Sequence, residues 1–428
     1  MMEQSFTVDT VRFGLARFGF VELTDGRFLA LLPGPRRPDP AIAEMRGSVS
    51  KDRGRTWGEE YPLVTEHGTI LSGSANASII RLASGSIALQ YARLLPAQPK
   101  TSSGLYCATS ENEGKTWSEE HRINFPGTPG HPVHDAMIQT KSGRLILPVR
   151  ACYAARVVEQ EEGHALGTVH GHRVKVAGHA QYPEFDIAFT YYSDDEGRTW
   201  EKSDGYVLGW PDEGRRGVYP TDEPSVAQTG DGRLLMFTRS TLGRVVESWS
   251  EDDGTSWTRG LPNELCNSYS PARLRTIPTT GDLHCVWNQV TPDEICRGFR
   301  RSRLSSAISK DSGKTWKYFK TLDCADPLDK SVRQEPDPKT AFVVADRDCG
   351  EMPDNWCIYR YPNVRYAGDA AYIAYDRESF KCPSAPPRQH VLRAMPIPCL
   401  YDDARNDLSL PNEIAQGLAA GTGESIED

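Results

Sequence analysis

Five copies of one pattern, Ser-x-Asp-x-Gly-x-Thr-Trp, constrain the fold of this chain more than any other feature of it. They read SKDRGRTW at 50–57, SENEGKTW at 110–117, SDDEGRTW at 193–200, SEDDGTSW at 250–257 and SKDSGKTW at 309–316. Their serines are 60, 83, 57 and 59 residues apart. A period near 60 marks one supersecondary unit, repeated because it cannot bury its apolar faces alone. Each copy has turn chemistry: an Asp or Asn that bonds nearby backbone, then a Gly free to take φ > 0. The Trp is expected to pack the turn onto its own sheet. The five copies read as folding motifs, not as sites of chemistry.

Between the copies lie short β-type runs with turn punctuation: NASIIRLASGSIALQYA (76–92), AMIQTKSGRLILPV (136–149) and PSVAQTGDGRLLMFTRS (224–240). Each reads strand, Ser-Gly or Asp-Gly turn, strand. VRFGLARFGFVELTDGRFLALL (11–32) has the same form, and so does YPNVRYAGDAAYIAYD (361–376), which no repeat motif follows. Long helical periodicity is absent. Five marked units plus the last one give six sheets, so the predicted fold is all-β: a six-bladed β-propeller with Asp-box repeats. The first strands are expected to complete the last sheet and close the ring. One propeller domain accounts for residues 1–428. The long 83-residue step holds a polar, His-rich stretch at 157–185, predicted as an insertion loop or hairpin over one face. His164, His170, His172 and His179 in it lack a spacing that specifies a metal. The tail from about 403 to 428 is expected to be frayed.

The net charge of −9, with both signs spread throughout, argues against nucleic acid or anionic membrane as the main partner. No apolar run approaches the ~20 residues of a membrane-spanning helix. MMEQSFTVDTVRFG lacks a basic end followed by an apolar stretch, so a cytoplasmic location is expected, secretion requiring a leader removed beforehand. None of the ten cysteines forms a CxxC pair, which disfavours a zinc site of that kind and fits reduced, mostly buried thiols.

Repeated Asp-boxes on six blades resemble the sialidases, or neuraminidases, over roughly residues 11–376. The resemblance extends to site residues in order along the chain. Asp39, in PGPRRPDP, stands 11 residues before Ser50, where the family places its acid/base Asp. Arg37 in the same segment is a substrate-binding candidate. Glu223 and Arg239, 16 residues apart in YPTDEPSVAQTGDGRLLMFTRS, are similar to the family's segment carrying the nucleophile's partner Glu and the second triad arginine. Asp222 is the neighbouring rival of Glu223. Tyr361 opens a segment similar to the family's Tyr-Ser-Ser-Leu, with Pro-Asn replacing Ser-Ser; Tyr359 and Tyr366 are its competitors. Arg301 is placed as the third arginine because Leu304 then takes the family's Leu position, with Arg300 and Arg303 as alternatives. Arg17 fits the first arginine, although Phe-Gly replaces the family's Ile-Pro after it and Arg12 is a substitute. Asn76 falls where the family often has a pocket Asp touching the sugar's N-acyl group, which suggests a different substituent such as that of a deaminated nonulosonic acid.

The resemblance implies a retaining exo-glycosidase acting on terminal α-linked sialic acid, with a sialylated or other acidic glycan as partner and no metal or organic cofactor. The chemistry is self-consistent. Arginines hold the carboxylate on the anomeric carbon with bidentate bonds. A carboxylate nucleophile would be repelled there, whereas a neutral Tyr whose proton passes to Glu is not. Asp39 then serves as acid and base. A second constellation supports another reading. GHPVHDAMIQTKSGRLILPV places His131, His134 and Asp135 at the start of a blade-three strand, on the expected pocket face. There the arginines bind a uronate and His134 removes a proton. A non-catalytic glycan-binding propeller is the third reading. Trp210, Trp249, Trp287 and Trp356 suit core packing better than sugar stacking.

Overall fold

The computed structural model describes residues 5–8, 19–36, 43–72, 76–94, 103–125, 128, 130–152, 156–157, 165–169, 172–176, 181–182, 185–291, 294, 299, 301–325, 328, 356–380 and 388–402. The strand–turn–strand runs pair into antiparallel sheets, six of which are blades. Their first strands are Phe20–Glu22, Ala77–Arg81, the pair His131–Pro132 and Ile138–Gln139, Thr221–Gln228, Arg273–Thr276 and Trp356–Ala367. These first strands face one another around the axis. Arg365 of blade 6 reaches the Asp135 carboxylate of blade 3 and the Ile79 carbonyl of blade 2, and Arg275 of blade 5 donates to the Asp135 carbonyl. Phe6–Val8 pairs with Arg388–Pro396 as the fourth strand of blade 6, so the chain's beginning closes the ring.

That closure explains why there are five boxes for six blades. Each box begins on the last residue of a third strand: Ser50, Ser110, Ser193, Ser250 and Ser309. It turns the chain toward the fourth strand. Blade 6 receives its fourth strand from elsewhere in the chain, so no such turn exists there.

The boxes share one hydrogen-bond scheme. In the first, Ser50 Oγ donates to Asp52 Oδ1 (2.9 Å) and accepts from the Gly54 N–H (2.7 Å). Asp52 also accepts from the Thr56 N–H (2.8 Å) and hydroxyl (2.6 Å). The glycines have φ between 76° and 91°. A Cβ on any of them would come within 2.5–2.8 Å of the preceding blade, at Leu392, Leu29, Cys107, Ile146 or Leu235. The tryptophans point the same way. Trp257 Nε1 donates to Thr190 Oγ1 of blade 3 (3.0 Å), and the Trp316 ring lies 5.5 Å from Phe237 of blade 4. The expectation that each Trp packs on its own sheet is therefore corrected: each box wedges its blade against the one before.

The apolar core follows from this. It divides into six main clusters, each shared by two adjacent blades, including one that joins blade 6 to blade 1 through Tyr372, Phe28 and Phe20. The axis itself is left to polar side chains. Residues 156–182 include two further ladders, Arg156–Val157 with Gln181–Tyr182 and Ala165–Val169 with His172–Val176. Trp287 is fully buried, with Nε1 on the Cys266 carbonyl (2.8 Å), and Trp249 packs in the cluster between blades 4 and 5, as core residues. Cys107 and Cys285 are buried thiols, and burial pushes the Cys107 pKa up to about 12. No helix among the described residues is long and apolar enough to cross a membrane.

Candidate active site

Backbone strain locates the site. Thirteen described non-glycine residues have positive φ. Five occupy the equivalent position before the glycine in each Asp-box: Arg53, Glu113, Glu196, Asp253 and Ser312. Asp212, Glu213 and Tyr318 lie elsewhere. The other five are His134, Glu223, Tyr269, Arg301 and Tyr361, with φ from 46° to 57°. Non-glycine residues are rarely held left-handed unless the surroundings over-determine them, and such positions concentrate at functional sites.

These five come from blades 3 to 6 and meet at one end of the axis. Two sit on bulges in first strands, where pairing slips between Asp222 and Ser225 and between Arg360 and Asn363. A bulge re-aims a side chain out of the ladder. The His134 ring lies 4.3 Å from the Tyr361 ring, and the Arg301 guanidinium lies 5.8 Å from the same ring. Arg239 Nη1 donates to Glu223 Oε2 at 2.8 Å, and its guanidinium stacks 3.8 Å from the Tyr269 ring. Arg301 Nη2 donates to the Tyr269 carbonyl (3.2 Å). Tyr269 thus spaces the two arginines.

Burial opposes ionisation of Glu223, but Arg239, His134 and Arg301 outweigh it and hold its pKa far below the usual carboxylate range. Burial and the Arg239 charge lower the Arg301 pKa, whereas Glu223 and Tyr269 overcome burial to raise that of Arg239. Among the described residues the site therefore holds two guanidinium groups and an ionised carboxylate beside a phenol.

Glu223 is supported from behind. Asp222 accepts from the Glu223 N–H (2.7 Å) and pairs with Arg150 (3.2 Å), which also pairs with Asp186 (2.7 Å). Asp222, the rival of Glu223, is thereby occupied as a support. Among the tyrosine competitors, Tyr359 is packed between blades 5 and 6, and the Tyr366 hydroxyl is bonded to His284 Nδ1 (2.9 Å). Arg303 is held by both oxygens of Glu294 at 2.7 and 2.9 Å, and of the two it is Arg301 that lies against the Tyr361 ring. Asn76 accepts from the His134 N–H (3.2 Å) and is 2.9 Å from His131 Nε2, so it props the histidine segment.

Asp135 does not sit where it was expected. Its carboxylate is fully buried and bound by Arg365, by Asn363 Nδ2 (3.0 Å) and by the Ile79 N–H (3.4 Å). With that carboxylate saturated by protein donors, Asp135 serves as an axial clasp between blades and not as a substrate contact. Arg17, Arg37, Asp39, Arg12 and Arg300 lie outside the described residues. Tyr269 and Arg150 were missed. A bulky polar residue shortly before a proline at the entrance to a first strand, as in Tyr269-Ser-Pro, Glu223-Pro and Tyr361-Pro, was the available signal for Tyr269.

The BNR repeat-like domain family matches residues 26–373. No curated protein matches the chain. Among solved structures, the chain is similar to the Hadza microbial sialidase Hz136, with TM-score 0.55 and 15% identity over 89% of this chain and 66% of that one. It is also similar to the NanB sialidase from Streptococcus pneumoniae, with TM-score 0.53 and 13% identity over 93% of this chain and 71% of the other. A Dyadobacter fermentans protein of unknown function gives TM-score 0.52 and 17% identity over 92% of this chain and 99% of its own. The chain spans about two thirds of the Hadza enzyme, and at these identities the likeness establishes the fold. On the family match, the five boxes and the six blades together, the chain belongs to the BNR repeat-like family as a sialidase-like propeller.

Proposed function

We propose that this protein is a retaining exo-glycosidase that removes a terminal α-linked sialic acid or related nonulosonic acid from glycoconjugates. The observation that carries the reading is the convergence of Arg239, Arg301, Glu223 and Tyr361, three of them left-handed, at one end of the axis. The two arginines would clamp the sugar carboxylate, helped by Arg17. That added negative charge offsets their pull on Glu223, raises its proton affinity and readies it as a base. Tyr361 Oη would then attack the anomeric carbon as its proton passes to Glu223, while Asp39 protonates the departing aglycone oxygen. In the second half, Asp39 takes a proton from water, the water oxygen attacks the same carbon, and the Tyr361 oxygen leaves and recovers its proton from Glu223. Configuration at the anomeric carbon is retained.

A second reading is favoured by one observation: His134 is left-handed, nearly buried and lies against Tyr361. In it, the arginines hold a uronate and His134 abstracts a proton in a lyase reaction. Release of a fluorescent aglycone from α-linked N-acetylneuraminic acid, its deaminated analogue and a uronate control separates the two, with Tyr361→Phe and Asp39→Ala run alongside. Turnover of a nonulosonide that both variants abolish supports the sialidase reading. No turnover of either nonulosonide by folded protein overturns it, and unsaturated products from the uronate with dependence on His134 favour the second.

A further inference from the structure

Beneath the candidate site the axis carries more positive charge than its carboxylate balances. Arg273 and Arg275 alternate along the first strand of blade 5, so both project to one side, and Arg365 comes from blade 6. All three guanidinium groups approach Asp135. Its carboxylate is taken by Arg365, and Arg275 obtains only its carbonyl. Arg273 has long bonds alone, 3.4 Å to the Pro362 carbonyl and 3.5 Å to Ser225 Oγ. Arg275 is 6% exposed, and its Nε and Nη1 are buried with no hydrogen-bond partner among the described residues. Burial, with repulsion from Arg365, lowers the Arg273 pKa to about 10, and burial with repulsion from Arg273 and Arg365 lowers that of Arg275. Guanidinium groups nevertheless keep their protons at neutral pH. Buried cations persist when paired, and here two lack a carboxylate of their own among the described residues.

We propose that a small inorganic anion of halide type binds on the axis among Arg273, Arg275 and Arg365, using the unpartnered Nε–H and Nη1–H of Arg275 as donors. Of the three guanidinium groups, that of Arg365 belongs to a residue lining a cavity. This cavity of about 490 Å³, lined by Glu22, Thr24, Ile80, Arg81, Arg365 and Tyr366 among others, lies beside the turn that follows the first strand of blade 1. That turn lies at the end of the axis away from Glu223 and Tyr361, whereas Arg273 reaches the Pro362 carbonyl beside Tyr361. The crowding favours a compact ion: a Cβ at Gly19 would overlap the Asp135 carboxylate. The anion would tie blade 5 to blades 3 and 6 where apolar packing is absent.

The test is thermal melting of exhaustively dialysed full-length protein at constant ionic strength in sodium gluconate, chloride, bromide or sulfate. The expected result is a saturable rise in melting temperature with chloride and bromide over gluconate, together with a bromide anomalous peak among the three guanidinium groups. Arg275→Gln is expected to weaken the apparent halide affinity by about tenfold or more, the loss of charge-assisted bonds. Equal melting in chloride and gluconate, or stabilisation by sulfate alone, overturns the proposal. Should the variant fail to fold, the wild-type titration and the bromide peak decide it.

Discussion

The rim turns and the end of the axis both hold five left-handed non-glycine residues, yet they use them oppositely. In the Asp-boxes the strained residue is Arg, Glu, Glu, Asp or Ser, half-buried, and its conformation is imposed by a local Ser–Asp–Gly–Thr network repeated from blade to blade. At the axis the strained residues are His, Glu, Tyr, Arg and Tyr, and what holds them comes from residues distant in the chain: Arg239 on Glu223, Ser268 Oγ on the Arg301 N–H (3.1 Å), Asn76 on the His134 N–H. Strain that is locally imposed tolerates any side chain and serves the fold. Strain imposed by tertiary contacts fixes a side chain and fits a chemical role.

The largest expected effect tests that division directly. Tyr361→Phe removes one oxygen and no packing, so turnover on the cognate glycoside should fall at least about a thousandfold, while stability stays within about 0.5 kcal/mol. Kinetics beside urea denaturation check both. A variant that keeps its activity would place the strained tyrosine with the rim turns, as architecture.

Stability offers the next contrast. Asp135→Ala would strand the half-buried Arg365 guanidinium and remove a fully buried carboxylate, and breaking a buried pair costs about 3–5 kcal/mol. Asp311→Ala removes an exposed carboxylate that bonds the Thr315 N–H (2.9 Å) and hydroxyl (2.6 Å), at a cost of about 1–2 kcal/mol. Urea midpoints for the two variants should differ in that order. The reverse order would mean that the boxes, not the axial clasp, hold the ring.

Much of this comparison was legible in the sequence, and the limits are physical. The boxes and hairpins are local, so their serines, glycines and strand runs placed six blades correctly. The direction of each Trp was not local, because its partner lies on another blade, 67 residues back for Trp257. Glu223, Arg239, Arg301 and Tyr361 were found by likeness in spacing, and the structure brings them together. The choice of Arg301 over Arg303 depends on Glu294, whose approach to Arg303 no pattern announces. Asp135 was expected on the pocket face, and its carboxylate meets Arg365 and Asn363 instead. The bend at His134, with its left-handed backbone, sends one side chain to Tyr361 and the other into the axis.

Acid should separate the regions in turn. His284, bonded to Tyr366 and Ser306, is kept neutral by burial, which pushes its pKa from 6.5 down to about 3. The unfolded chain takes up the proton first, so the stability this group contributes is complete above pH 6.5 and declines as pH falls toward 3, by about 1.4 kcal/mol per pH unit. The box aspartates behave differently. Burial works against them, but their Thr and Ser bonds dominate and lower Asp52, Asp195, Asp252 and Asp311 below 3.8, so their contribution is lost only as pH falls through those depressed values. Stability measured against pH should therefore fall first through the His284 window, and His284→Gln should flatten that part of the curve. An unchanged slope in the variant would refute the assignment.

The smallest effect probes the strain itself. Glu113 pairs with Arg81, and Asp253 accepts from Ser142, so Glu196 is the cleanest box position for substitution. A left-handed non-glycine residue costs about 1–2 kcal/mol, and glycine avoids this while costing about 0.5–1 kcal/mol more in the unfolded chain. Glu196→Gly should consequently be neutral or stabilising by up to about 1 kcal/mol, seen as a higher urea midpoint. At the axis the same relief would be outweighed: Tyr361→Gly also removes a ring packed against His134 and the cluster joining blades 6 and 1, so it should destabilise. Opposite signs for one substitution at two equally strained backbones would show that the cost of strain is borne for the side chain at the axis and for the turn at the rim.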